Sequence, residues 1–313
     1  MLVTPNQSAQ STKSLSLGQR AVGAYVGLAV GDALGATTEF LTPREIREKH
    51  GVHDRILGGG WLRLKAGQVT DDTEMSLALG ESILARRGVE AAAVAEAFSE
   101  WMRGKPIDIG NTVRRGIVHY RTTGESAVAM NEFDAGNGAC MRSLPIALFY
   151  CDASHEERML ASRAQSHTTH NNPLADAGTE TMVEMVVSAM RGLDKSMLET
   201  MALSLVSRFP LYRFDKRRME NPSGYIVETL RAVFQAFFSN HSYQETLIDV
   251  VNRGGDADTT GAIAGMLAGA YYGEEGIPHH WRESLNTKAM LACRDQALSL
   301  LALGRQKYTT QDR

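Results

Sequence analysis

From Leu17 onward the apolar residues recur at three- and four-residue intervals almost without interruption, a period that buries hydrophobic surface only when helices pack on helices. Strict alternation of strand type is nearly absent. One stripe is formed by Val94, Ala97, Phe98, Trp101 and Met102 and ends at Gly104. A second runs through Met182, Met185, Val186, Ala189 and Met190 before Gly192, and reads as core packing rather than a cofactor box. A third, at Leu230, Val233, Phe234 and Phe237, lies within a segment from Tyr225 to Phe238. Gly261, Gly265 and Gly269 recur every fourth residue on a helix expected from Thr259 to Tyr272, giving it one smooth edge against a neighbouring backbone. About ten helices are expected, joined by glycine-rich or polar loops, with no full-length repeat.

No linker divides the body, so one compact all-α domain over residues 17–304 is expected, although 313 residues would also suit two domains. Residues 1–16 are rich in Ser, Thr and Gln without a hydrophobic period and read as a mobile arm. Residues 305–313 read as a short polar tail. With 43% hydrophobic and 22% charged residues, the chain is not a disordered, collagen-like or rod-forming one. A formal net charge of -3 leaves no excess of positive charge to neutralise phosphates, which argues against nucleic acid as a partner. No apolar run reaches the roughly 18 residues of a membrane span and no secretion signal is evident, so a cytoplasmic location is expected. Cys140, Cys151 and Cys293 are odd in number and lack metal or redox spacing, as expected of reduced, packed thiols.

Two short, similar segments stand far apart: Gly67 to Glu74, containing Thr70, Asp71 and Asp72, and Gly254 to Gly261, containing Asp256, Asp258 and Thr259. Each puts Asp and Thr where a helix begins. Either alone could be a helix cap, because these side chains accept hydrogen bonds from free first-turn amides and Asp suits the positive end of the helix dipole. Together they hold more mutually repelling carboxylates than caps require. A divalent cation would relieve that repulsion, and an Asp and Thr donor set suits Mg²⁺ or Mn²⁺ rather than zinc.

Two loops have the composition of a small-ligand site, although each taken separately reads first as a turn before a helix. Gly110 and Asn111 follow Asp108, and Gly136, Asn137 and Gly138 follow Asp134. Glycine lets backbone amides approach a phosphate, and Asn supplies paired hydrogen bonds. His167 and His170 are either satisfied at a helix end or form a wall against a base.

These segments resemble the ADP-ribosylglycohydrolase family. The matching stretches are Gly27 to Gly35 with Glu39, Thr70 to Asp72, Asp108 to Asn111, Gly136 to Gly138, Thr169 to Pro173 and Gly254 to Thr260, in the family's order and spanning nearly the whole body. The runs Gly58 to Thr70 and Asn252 to Asp256 look most like the bacterial branch containing dinitrogenase reductase-activating glycohydrolase. The resemblance implies an all-α fold and a centre of two divalent cations, Mg²⁺ or Mn²⁺, held by Thr70, Asp71, Asp72, Asp256, Asp258 and Thr259 with Glu39 beside them. It implies hydrolysis that releases ADP-ribose from a modified arginine of a target protein, with Asp108 or Glu39 moving protons. It also implies that Asp108 and Asn111 contact the ribose, and that Gly136 to Gly138, His170 and Tyr225 shape the pocket for diphosphate and adenosine. Asn172 departs from the pattern, which expects His. Asp32 is read as a brace for a turn.

Alternative roles are an immunity protein that occupies an ADP-ribosyltransferase toxin with residues 1–16 as a plug, a hydrolase of serine-linked or O-acetyl-ADP-ribose, and a non-catalytic relative, against which the intact ligand set argues. Lys216, Arg217 and Arg218 read as a solvated loop or a guide for an acidic target.

Overall fold

The structure, a computed structural model, describes residues 15–309. The expected arm falls almost wholly outside the described residues. Fifteen α-helices are present among them, more than expected because short helices occupy several loops. In order they are α1 (Leu17–Gly35), α2 (Pro43–His50), α3 (Asp71–Arg86), α4 (Ala91–Arg103), α5 (Asn111–Thr123), α6 (Gly138–Met141), α7 (Leu144–Phe149) and α8 (His155–Ser166). Then follow α9 (Pro173–Met190), α10 (Lys195–Arg208), α11 (Ile226–Ser239), α12 (Tyr243–Val251), α13 (Ala257–Tyr272), α14 (His279–Ser284) and α15 (Thr287–Thr309). No strand forms among the described residues; extended pairing is limited to single bridges at Gly59–Leu64 and Gly136–Tyr225. The boundary expected at Gly304 lies inside α15, which carries on to Thr309 and buries Tyr308 beside Phe149 and Tyr150.

The three stripes lie on α4, α9 and α11, with Val94, Phe98, Met182, Met185, Leu230 and Phe234 all buried. α1 starts with a capping box: the Ser16 hydroxyl accepts from the Gln19 amide while the Gln19 side chain accepts from the Ser16 amide. Beyond that first turn α1 is buried all round, as is α13, so both are central helices rather than amphipathic ones. Cys140, Cys151 and Cys293 are free and buried.

The partner of the smooth edge on α13 is a second glycine row on α1. Gly23, Gly27, Gly31 and Gly35 face Gly269, Gly265, Gly261 and Ala257 in reversed order, so the helices run antiparallel with their backbones touching. A methyl group at Gly31 would stand 2.0 Å from the Gly261 carbonyl oxygen, and one at Gly265 would stand 2.1 Å from that of Gly27. This register sets the end of α1 beside the start of α13, where the second Asp segment lies.

Gly31→Ala and Gly265→Ala should each cost about 1–3 kcal/mol or more from overpacking, outweighing the ~1 kcal/mol that alanine gains over glycine in helix propensity. Gly18→Ala on α1, whose added methyl meets only the Leu298 side chain at 3.7 Å, should be neutral or mildly stabilising. Denaturant melts of the three variants check both statements; equal stability throughout would dismiss the close contact.

Candidate functional site

The start of α3 is capped from a distance. Thr70 makes no side-chain cap; the Asp32 carboxylate on α1 accepts from the Thr70 amide at 3.0–3.1 Å, the Thr73 amide at 3.2 Å and both threonine hydroxyls. Asp32 therefore braces another helix rather than its own turn. Asp256, at the start of α13, makes no side-chain cap either. The capping alternative thus fails for both segments, and their carboxylates are left free to point elsewhere.

They point at one another. Oxygen atoms of Glu39, Asp256 and Asp258 lie within 4.8 Å of each other. Thr259 Oγ1 donates to Asp72 Oδ2 at 3.4 Å, and Thr70 Oγ1, whose proton goes to Asp32, lies 3.2 Å from the same oxygen, so the two distant segments meet. Glu39 reaches this point because residues 40–41 are tied to the loop before α13: the Phe40 amide donates to the Gly255 carbonyl at 2.7 Å and the Gly255 amide to that of Leu41 at 3.0 Å. Gly254 and Gly255 have φ near +69° and +68°, and a methyl at Gly254 would stand 2.0 Å from the Leu41 carbonyl oxygen, so only glycine fits.

A cavity of about 460 Å³ opens above this cluster. Glu39, Asp71, Asp108, Asp256, Asp258 and Thr259 form its acidic side, with Thr70 and Asp72 buried beneath. Gly110, Asn111, Gly136, Asn137, Gly138 and His170 form the rest of the predicted lining. Tyr225 does not join them: it stands outside the lining, its backbone bridged to Gly136. Asn172 caps α9, accepting from the Leu174 and Ala175 amides, so its amide is engaged in holding that helix rather than facing a ligand. A larger cavity, about 640 Å³, lies between Lys65 and the start of α15, but none of the clustered aspartates faces it.

Burial raises every carboxyl of the cluster. It pushes Asp71 and Glu39 up to about 8 and Asp32 to about 6, and holds Asp72 and Asp258 well above the ordinary range. Neighbouring carboxylates add to the rise: Asp108 acts on Asp71, and Glu39 on Asp258. Asp72 Oδ1 is buried without any hydrogen-bond partner. An orphaned buried carboxylate oxygen amid an all-oxygen donor set fits a hard divalent cation.

The two histidines divide the alternatives between them. His167 ends α8 with Nε2 at 2.9 Å from Asp176. His170 walls the cavity. The Thr169 hydroxyl accepts from Arg142 at 2.7 Å, and among the described residues the one acceptor for its own proton is His170 Nδ1, also at 2.7 Å. That leaves the ring proton on Nε2, which faces Gly136 and Gly138 closely enough that a methyl on either would overlap the ring. Burial, with help from Arg142, lowers His170 to about 3, so the ring is a neutral donor.

Sequence reasoning missed Trp61, Phe40 and Arg142. Trp61 Nε1 donates to Glu39 Oε2 at 2.5 Å, and Asn137, named only as a loop residue, donates to Asp256 Oδ2 at 2.6 Å. Arg142 is fully buried and lies over the Phe98 ring. The run Gly58 to Gly60 ahead of Trp61 was the available signal, since three successive glycines mark a tightly seated turn.

Carboxyls whose folded values lie above their unfolded ones bind protons more tightly in the folded chain, so their contribution to stability is present at low pH and lost as pH rises. The metal-free protein should therefore melt at falling temperatures as pH rises from about 5 to about 8. Mg²⁺ or Mn²⁺ at ~100 times its Kd should restore ~2.7 kcal/mol and flatten the decline. Melting curves that ignore both pH and divalent ions would contradict the cluster's role.

A family model described as ADP-ribosylglycohydrolase matches residues 13–310. The chain is 46% identical over 290 residues to the ADP-ribosyl-(dinitrogen reductase) glycohydrolase of Rhodospirillum rubrum, covering 92% of this chain and 97% of that one. It is 34% identical over 284 residues to the ADP-ribosylarginine hydrolase Tri1 of Pseudomonas putida (strain GB-1), covering 85% and 74% respectively. A solved structure described as an ADP-ribosylglycohydrolase-related protein complex superposes with a TM-score of 0.80 at 34% identity, over 92% of this chain and 99% of that chain. By its residues, its helical architecture and these relatives, the chain belongs to the ADP-ribosylglycohydrolase family.

Proposed function

We propose that the protein is a metal-dependent hydrolase that releases ADP-ribose from modified arginine side chains of a target protein. The observation that carries this reading is the convergence of acidic side chains from both ends of the chain on one cavity that also holds a glycine-rich cradle and a neutral His170 donor. Relatives whose names specify an ADP-ribosylated dinitrogen reductase and ADP-ribosylarginine support the arginine linkage. A cytoplasmic location belongs with this reading; no helix among the described residues is long and apolar enough to cross a membrane. The toxin-plug alternative rests on residues that lie almost wholly outside the described ones.

Thr70, Asp71, Asp72, Asp256, Asp258 and Thr259 would hold two divalent cations, Mg²⁺ or Mn²⁺. Ions held there would supply positive charge beside the ribose and would lower the pKa of a water. Amides of Gly136 to Gly138 and the His170 Nε2–H suit the diphosphate, and Asn111 with Asp108 suits the ribose. As the bond from ribose C1 to the guanidino nitrogen breaks, its electron pair leaves with the nitrogen and positive charge gathers on the sugar, where surrounding carboxylates stabilise it. Water closes the new C1–O bond, and its proton passes to the departing guanidine. Asp108 suits that transfer, because burial raises its carboxyl and its side chain lines the cavity beside Gly110. Glu39, raised to about 8 and held by Trp61, is the second group able to carry a proton there.

Release of ADP-ribose from an arginine-modified peptide should require Mg²⁺ or Mn²⁺, and full turnover after exhaustive metal removal would overturn the proposal. Asp108→Asn should lower kcat by about 10²–10⁴ while leaving metal binding intact. Asp71→Asn should lose activity by more than about 100-fold, yet leave the metal-free protein as stable as before or more so, because it removes a buried, repelled carboxylate. Serine-linked and O-acetyl-ADP-ribose, assayed beside the arginine peptide, separate the linkage classes.

A further inference from the structure

Two exposed aromatic rings line the cavity, and apart from the Trp61 indole N–H that holds Glu39 they have no role in the chemistry above. Of the large hydrophobic residues lining the cavity, Phe40 and Trp61 are the exposed ones among the described residues, at 63% and 52%. Their ring centroids are 5.3 Å apart with planes inclined at 49°. Leaving two such rings in water is unfavourable, and the chain holds them there by unusual backbone. Phe40 has φ of +60°, a conformation uncommon outside glycine, fixed by its amide bond to Gly255. Gly60, next to Trp61, has φ of +67°, and a methyl there would stand 2.3 Å from the Ala36 carbonyl oxygen, so the Trp61 turn is seated directly on the end of α1.

The position of the pair constrains what passes it. The lining at His170, Gly138, Glu39, Asp71 and Asp258 is buried, whereas Phe40 and Trp61, beside Glu39, belong with Gly110, Asn111 and Gly224 to the part of the lining that meets solvent. A ribose placed over the carboxylates must keep its leaving group connected to a protein outside, and that group crosses this rim. In an arginine-linked substrate the group is a planar cation. Guanidinium stacks on aromatic faces, and Glu39 and Asp108 stand close by to complement its charge. Rings already in contact at 5.3 Å leave no slot between them, so the cation lies along their shared outer face.

We propose that Phe40 and Trp61 form an aromatic platform that binds the guanidinium of the ADP-ribosylated arginine and selects this linkage over uncharged ones. This deepens the hydrolase reading and rests on it. Trp61 has a separable second part, positioning Glu39 through its indole N–H.

The test measures KM and kcat on an ADP-ribosylarginine peptide and, alongside, the inhibition constant of free ADP-ribose, which lacks the guanidinium. Phe40→Leu should raise KM by about five- to thirty-fold, the worth of one partly exposed cation–π contact, while the ADP-ribose constant moves less than about two-fold. Trp61→Phe keeps a ring and loses the donor, so it should lower kcat with little change in KM. Trp61→Leu should do both. Unchanged KM in Phe40→Leu and Trp61→Leu overturns the platform, as does an equal rise in the ADP-ribose constant, which would mean that the whole pocket has shifted. Wild-type protein that binds ADP-ribose yet leaves the arginine peptide intact overturns the hydrolase reading itself, and the platform with it, a result distinct from either of these.

Discussion

The contact between α1 and α13 is made by backbone, not side chains. Carbonyl oxygens of one helix occupy the space where a Cβ of the other would be, at Gly23, Gly27 and Gly31 on one side and Gly261, Gly265 and Gly269 on the other. Because four-residue rows interlock at a single register, the pairing cannot slide without forcing a carbonyl onto a methyl or opening a void in a close-packed core. That register sets Gly35 against Ala257, and so determines where Glu39 stands relative to Asp256 and Asp258. A looser, side-chain-mediated interface would tolerate shifts of an ångström, and carboxylate oxygens gathered within 4.8 Å of one another would not.

α1 also organises the other half of the site. By capping α3 with Asp32, it relieves Thr70, Asp71 and Asp72 of the task that residues at a helix start usually perform. Their oxygens are therefore available inward, and the cost shows as strongly raised carboxyls and an orphan oxygen on Asp72. The cluster is unfavourable by itself; the surrounding helices over-determine it. Instability of this kind at one place, supported by rigid packing elsewhere, is what a preorganised binding centre looks like in physical terms.

Reading residues in order recovers features made by neighbours in the chain. The stripes of α4, α9 and α11 follow from helical period alone, and the oxygen-rich segments are visible as residue types at helix starts. Features made by residues far apart were harder to see. The glycine row on α13 is legible from its spacing, but its partner on α1 stands out only through a family resemblance. Asp32 looked like a local brace because its recipients lie 38 and 41 residues away. Tyr225 is expected in the pocket on resemblance; its backbone bridges to Gly136, a lining residue, while Tyr225 itself is not part of that lining.

Composition and period by themselves determined an all-helical body and the residue types of its candidate site, since oxygen donors and glycine-rich loops are properties of residue type. Only the tertiary structure decided that two segments nearly two hundred residues apart share one cavity, that Asp32 rather than Thr70 caps α3, and that Trp61 reaches Glu39. The reason is that local sequence governs backbone preference within a few residues, while the meeting of distant side chains depends on which helix faces can approach one another. Here a row of absent side chains settled that approach.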